Sequence, residues 1–424
     1  MIKKLLVPLV SLVLMFALVL SGCGNSSESG NNSGKYNSKE KVTLTFWHTY
    51  SDTEKKVFNT EIIPLFEKQY PNIKIKSVTM PTNNLQQQVI SAAAGASGPD
   101  VMRMDKSWVP EMAKLGAIKS VDSLQGFTEL KSNQLKSAMD SNLYNGHYYG
   151  IPNDVNTKIA IYDKKLLKKT GLKQPPKTLK QLVQASKKIK DAKHFGIGLG
   201  GTAQWNFLPY FWSLGGELSN ANYTKASGYL DSVASIHAVQ QIVDWHKENL
   251  VNPAVLGGQP GFWDGIKSHQ YLMIDDGPWF YSLQGSSAKE NTTATAFPAG
   301  KAGSISILGG EDTVIFNSSQ HAEAAWKFAK FIASEKIQVI MARKTGELPS
   351  NLKATKAITK GADAITKQYI SQLKTAKSTV PSGNSGKIDD LLSKTFEAIY
   401  RGKTPVVAGL HNAAKQMDVL LQQK

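Results

Sequence analysis

Cysteine is almost missing from this chain: Cys23 is the only one in 424 residues. No disulfide can form within the chain, whatever the redox state of its compartment. Arginine is nearly as scarce, confined to Arg103, Arg343 and Arg401, although the formal net charge is +17. Nucleic-acid sites rely on arginine for bidentate contacts, so the dispersed lysine excess reads as a solvated basic surface near anionic polymers, with no nucleic-acid partner. The eight histidines show no His-x-x-x-His spacing. There is no Gly-x-Ser-x-Gly elbow and no Walker A loop, since Gly386-Lys387 lacks the earlier glycine. The adjacent acidic pairs Asp275-Asp276 and Glu311-Asp312 point to opposite faces of an extended chain, so neither is a natural acid/base dyad. These absences leave no sign of a metal, a cofactor or a catalytic constellation.

Long apolar runs are also rare, with one exception. Lys3 and Lys4 precede an apolar stretch over 5–20, which ends in Leu20-Ser21-Gly22-Cys23. That is the bacterial lipobox: a positive end held at the cytoplasmic side, an export segment, and small residues giving a peptidase access to the backbone before the cysteine. Residues 1–22 are expected to be a signal peptide and Cys23 the lipidated residue. Residues 23–41, rich in Ser, Asn and Gly, are expected to form a flexible tether. The mature protein should sit on the extracytoplasmic face of the cell membrane, as in a Gram-positive bacterium, held by several acyl chains.

Patterned sequence starts at Val42 and leaves ~380 residues, too many for one core and enough for two lobes. Val42, Leu44 and Phe46 alternate as in a half-buried strand. Ser51-Asp52-Thr53-Glu54 is a capping box, and Pro64 should kink or break the helix that follows. Strands near 73–75 and 99–102 bracket a helix over 85–94. Downstream, helices over 178–190, 235–248 and 322–333 alternate with strands over 196–199 and 271–274. Strand–helix alternation implies an α/β protein with mostly parallel sheets, whose ligands bind beyond the strand C-termini.

Four stretches then fall in a familiar order: Leu44-Thr45-Phe46-Trp47-His48, Gly98-Pro99-Asp100-Val101, 149–157 (YGIPNDVNT) and Leu308-Gly309-Gly310-Glu311. Following a lipobox, this set resembles the extracellular solute-binding proteins that include maltose-binding protein, over essentially the whole mature chain. The resemblance implies a two-lobed periplasmic-binding-protein-like fold, each lobe a mostly parallel sheet flanked by helices, with a ligand cleft between lobes. Crossovers would lie near 149–156, 306–314 and 346–351. Lobe 1 would comprise 42–151 and 309–347, and lobe 2 would comprise 152–308 and 348–424. The implied function is capture of a sugar or oligosaccharide for the permease of an ABC importer, by a monomer without cofactor. A secreted carbohydrate-active enzyme or a binding protein for a non-sugar solute are the alternatives.

A neutral sugar needs aromatic platforms and side chains that donate and accept hydrogen bonds. Of eight tryptophans, Trp212, Trp245 and Trp326 lie in apolar stretches and read as core. Trp205, Trp263 and Trp279 sit at loop-like edges, with Trp47 and Trp108 at the rim of the first lobe. By position in the family pattern, the ligand contacts would be His48 and Thr49 after the first strand, Asp105 after Pro99-Asp100, and Asn156 with Asp154 at the first crossover. Trp279 and Asp276 would face them, and Trp205 and Trp263 join the candidates because their loop-like edges can face the cleft. Gly309, Gly310 and Glu311 would come from the second crossover and Glu347 from the third. The positive net charge leaves an acidic saccharide conceivable, because only the charge of the cleft itself decides.

Overall fold

The computed structural model describes residues 40–423. The signal segment, Cys23 and almost all of the tether therefore lie outside the described residues. Among the described residues, no helix is long and apolar enough to cross a membrane.

Two β-sheets, each covered by helices, organise the chain. The first has the order Ile73–Thr79, Val42–His48, Val101–Asp105, Glu311–Ile315, Ile151–Pro152. Its first three strands are parallel, while Glu311–Ile315 runs antiparallel to both of its neighbours. The second has the order Thr292–Thr295, Ile159–Asp163, Tyr271–Asp276, Phe195–Gly198, with only the last pair parallel. Both sheets are thus mixed, with a larger antiparallel share than the mostly parallel sheets expected. The reason is topological: strands entering from a crossover arrive against the direction of those already in place.

Alternation along Val42–His48 puts Val42, Leu44, Phe46 and His48 on one buried face. Phe46 packs there with Phe58 and Phe328 at centroid distances of 5.2 Å, and Phe66 packs on Phe328 at 5.0 Å. Truncating one such buried ring typically costs about 3–5 kcal/mol. The second sheet carries a separate core in which Phe207, Phe211 and Phe396 stack. Trp212, Trp245 and Trp326 are buried, as their apolar surroundings imply. The capping box at Ser51 forms as expected. Pro64 does not break the helix, however. The chain stays helical from Asp52 to Gln69 through a π-turn at Phe58–Ile62, and the proline sits just after it. A wide turn accommodates a residue that lacks the N–H donor.

Three segments link the two sheets. Ile151–Pro152 leads into Asn156–Thr157, and Ser306–Gly309 leads back into Glu311–Ile315. The outgoing and returning chains pair antiparallel, Asn156 opposite Gly309 and Pro152 opposite Asp312. The third joins them through Val155 N–H, which donates to Leu348 O at 2.9 Å.

Candidate interlobe binding site

Two cavities adjoin where the three crossing segments meet, and Asn156, Trp279 and Glu311 line both. The first, about 370 Å³, is walled by Asp105, Lys106 and Trp108 from the first sheet and its following turn. Gln204, Trp205, Gly309, Gly310 and Asp389 close its other side. The second, about 350 Å³, is walled by Thr49, Glu54, Arg103, Asp154 and Glu347. A groove of about 740 Å³ between the last two helices is lined by lysines, small polar and aliphatic residues without an aromatic platform, and another of that volume is lined by Trp212, Tyr223 and Tyr229 but by none of the crossing segments.

The placement follows from the strands. Thr49 follows one parallel strand and Asp105 ends its neighbour, so both reach the C-terminal edge, where open α/β sheets bind ligands. Asp105 caps the next turn, accepting from Ser107 N–H at 2.8 Å and Ser107 O–H at 2.6 Å. Glycine is needed at two crossover positions. A Cβ on Gly309 would lie 2.1 Å from Asn156 Oδ1 and 2.8 Å from the Trp205 ring. Gly310, at φ +134°, lets its strand approach Asp154 O, which a Cβ would meet at 2.5 Å.

The two indoles form a partly exposed pair: the Trp205 and Trp279 centroids are 5.7 Å apart with planes inclined 33°. Trp279 opens the helix Trp279–Asn291 and folds its ring over Gly277. Behind Trp205, the buried Lys158 ammonium pairs with Asp275 at 2.7 Å. Burial pushes the Asp275 carboxyl up to about 6 despite that lysine.

Arg103 is the electrostatic hub. Its buried guanidinium bridges Asp154 at 2.9 Å, Glu311 at 2.9 Å and Glu347 at 3.1 Å. It also donates to Thr49 at 3.3 Å and lies 4.7 Å from the Tyr50 ring centroid. Burial opposes its charge, but the carboxylates outweigh that and keep it protonated. One cation cannot neutralise three acids. Burial, with repulsion from Asp154, therefore holds Glu311 and Glu347 well above the usual carboxylate range. Lys106, also buried, donates to Ser378 O–H at 3.1 Å, and burial lowers it to about 8.

The structure brings Thr49, Asp105, Asp154, Asn156, Trp205, Trp279, Gly309, Gly310, Glu311 and Glu347 to these walls. It does not bring His48, Trp263 or Asp276 there. His48 is fully buried between Phe46, Tyr50 and Phe58; its ring bonds Ser77 O–H at 2.8 Å and accepts from Tyr50 N–H at 3.2 Å. Trp263 donates its indole N–H to Asp276, which also accepts from Gly277 N–H, so the two brace the Trp279 turn from behind. Sequence reasoning passed over Arg103, Lys106, Gln204 and Asp389. Arg103 left a signal, a lone arginine inside the apolar run Val101-Met102-Arg103-Met104. Gln204 and Asp389 left none, because they meet only in three dimensions. Among the described residues, no group of His, Cys, Asp and Glu has the geometry to hold a metal ion.

This two-sheet architecture with a cleft at the crossing segments is that of a periplasmic-type binding protein. The chain belongs to the bacterial extracellular solute-binding protein family, whose profile matches residues 49–339. It is 24% identical over 423 residues to the galactooligosaccharide-binding protein of Bacillus subtilis (strain 168), covering 94% of this chain and 93% of that one. It is 26% identical over 350 residues to the arabinooligosaccharide-binding protein of the same organism, covering 78% and 76%. The GacH receptor of Streptomyces glaucescens, solved unliganded and with acarbose, superimposes with a TM-score of 0.80 at 25% identity, over 91% of this chain and 100% of that one.

Proposed function

We propose that this chain is the lipid-anchored, extracytoplasmic binding subunit of an ABC importer, which captures a sugar or oligosaccharide between its lobes and passes it to a membrane permease. The observation that carries the reading is the Trp205–Trp279 pair, two indole faces beside a cavity ringed with hydrogen-bonding side chains. Stacking on a sugar's apolar face, with hydroxyls bonded at the edges, is what such a wall offers. The names of the two Bacillus relatives support the saccharide class. We take lobe 1 as 42–151 with 309–347, lobe 2 as 152–308 with 348–424, and Cys23 as the anchor on a Gram-positive membrane. The protein works as a monomer and without catalysis; ATP hydrolysis belongs to another subunit.

A thermal-shift screen of mono- and oligosaccharides tests the central claim, because a ligand that binds only the folded state raises the midpoint by mass action. At least one saccharide should shift the protein and emerge uncleaved. A full panel without a shift, or hydrolysis of the ligand, would defeat the reading. Retention of the Cys23→Ala protein on washed membranes would defeat the anchor.

A further inference from the structure

We propose that the saccharide carries a protonated amino group, seated between the Trp279 indole and the carboxylates of Glu311 and Glu347. This rests on the saccharide reading above and narrows it.

The first observation is the sign of the walls. The chain as a whole is +17, yet the second cavity is lined by Glu54, Asp154, Glu311 and Glu347 with Arg103 as their one cation. The first cavity adds Asp105, Asp389 and Asp390 against Lys106. An acidic saccharide, which the net charge alone would welcome, would meet repulsion here.

The second observation is hydrogen-bonding capacity. Arg103 has already committed donors to Asp154, Glu311, Glu347 and Thr49. Gln204 is 6% exposed and lines the first cavity; its Nε2 donates to Asp389 at 3.0 Å, while its Oε1 accepts from no described residue. Asn156 Oδ1, at the junction of the cavities, is likewise buried without a donor. Buried acceptors without donors are costly. These two acceptors favour a ligand with donors to spare. A hydroxyl supplies one donor with two lone pairs, whereas an ammonium supplies three donors and no acceptor.

The third is the indole. Trp279 lines the same cavity as the carboxylates, and a cation over an indole face gains further attraction. Burial disfavours the charge of Glu311 and Glu347, and an ammonium beside them would stabilise their ionised form.

Matched ligands that differ at one substituent separate charge from shape. The probes are glucosamine, N-acetylglucosamine and glucose, their galacto counterparts, and the corresponding di- and trisaccharides. Calorimetric titration of the full-length chain in detergent at low salt should show the amine binding at least tenfold tighter in one or more triplets. That preference should shrink as salt rises. It should also shrink in Glu347→Gln and in Glu311→Gln, each first shown to melt cooperatively. Against pH it should be bell-shaped, lost on the alkaline side as the amine deprotonates and on the acid side as the carboxylates protonate. If acetylated or hydroxyl members bind as tightly as the amines, or if neutral saccharides bind and no amine does, the ammonium is wrong and the saccharide reading stands. If no saccharide of any kind binds, whether or not spermidine does, both fall.

Discussion

His48 and Arg103 show what a single position can and cannot reveal. His48 closes a strand at the edge of the site, and the family resemblance points to it as a contact. Its own strand says otherwise, because Val42, Leu44 and Phe46 alternate and His48 falls on their face. Burial, then the charges of Arg103 and Lys55, lower its pKa to about 4. The native state therefore holds it neutral, while the unfolded chain takes up a proton near pH 6.5. A depressed histidine costs stability as pH falls from 6.5 towards 4, by up to about 3 kcal/mol. His48→Gln keeps a donor for Ser77 and an acceptor for Tyr50 N–H without that proton site. Its stability to denaturant should drop less between pH 7 and pH 4 than that of the wild type. Equal acid sensitivity in the two proteins would exclude His48 as the titrating group. Arg103 is the converse case: its charge was visible in the sequence, but its three acidic partners come from 51 to 244 residues away.

At the scale of elements, features set by local chemistry were legible and features set by assembly were not. The Ser51 capping box, the alternating first strand and the amphipathic helices could be read directly, since each depends on residues within a turn or two. Crossover positions could be read only through the family resemblance. Strand direction in the mixed sheets could not be read, because it depends on where a returning chain re-enters. Nor could the cap of the helix Ser385–Tyr400. Its N-cap, Asn384, makes no side-chain capping bond. Glu111, whose helix Val109–Lys114 packs in the core of the first sheet, supplies the carboxylate instead. It accepts from Gly386 N–H at 3.2 Å and Ser385 O–H at 3.4 Å, and Gln86 holds it at 2.9 Å. A carboxylate at a helix N-terminus is favoured by the unpaired N–H groups and the dipole, worth about 1 kcal/mol. Here the benefit exists only while the two cores are together. Glu111→Ala should lower saccharide affinity severalfold while costing about 1 kcal/mol or less in denaturant stability. Unchanged affinity would mean that the contact is passive.

For the whole molecule, the arrangement of contacts argues for motion about the crossings. The two sheets have separate aromatic cores, and the site lies on the segments that join them. Most direct ties across the site are polar and few: Lys106 to Ser378, Glu111 to the helix at Ser385, and Lys114 to Asn384 at 3.1 Å. Polar contacts of this kind exchange with water at small net cost, about 0.5–1.5 kcal/mol each, so they can open without disturbing either core. The crossing segments instead hold continuous backbone pairing, Asn156 with Gly309 and Val155 with Leu348, and should act as the pivot. Ligand that touches Asp105 on one wall and Trp205 on the other would favour the state in which those walls approach, by its difference in affinity for the two states. Solution scattering from a soluble form beginning at Tyr36 should therefore show a smaller radius of gyration with saturating saccharide than without it. Glu111→Ala should show a larger radius than wild type in the absence of ligand and converge on it at saturation. Identical profiles with and without ligand, at a concentration proven saturating by calorimetry, would mean that this cleft binds without closing.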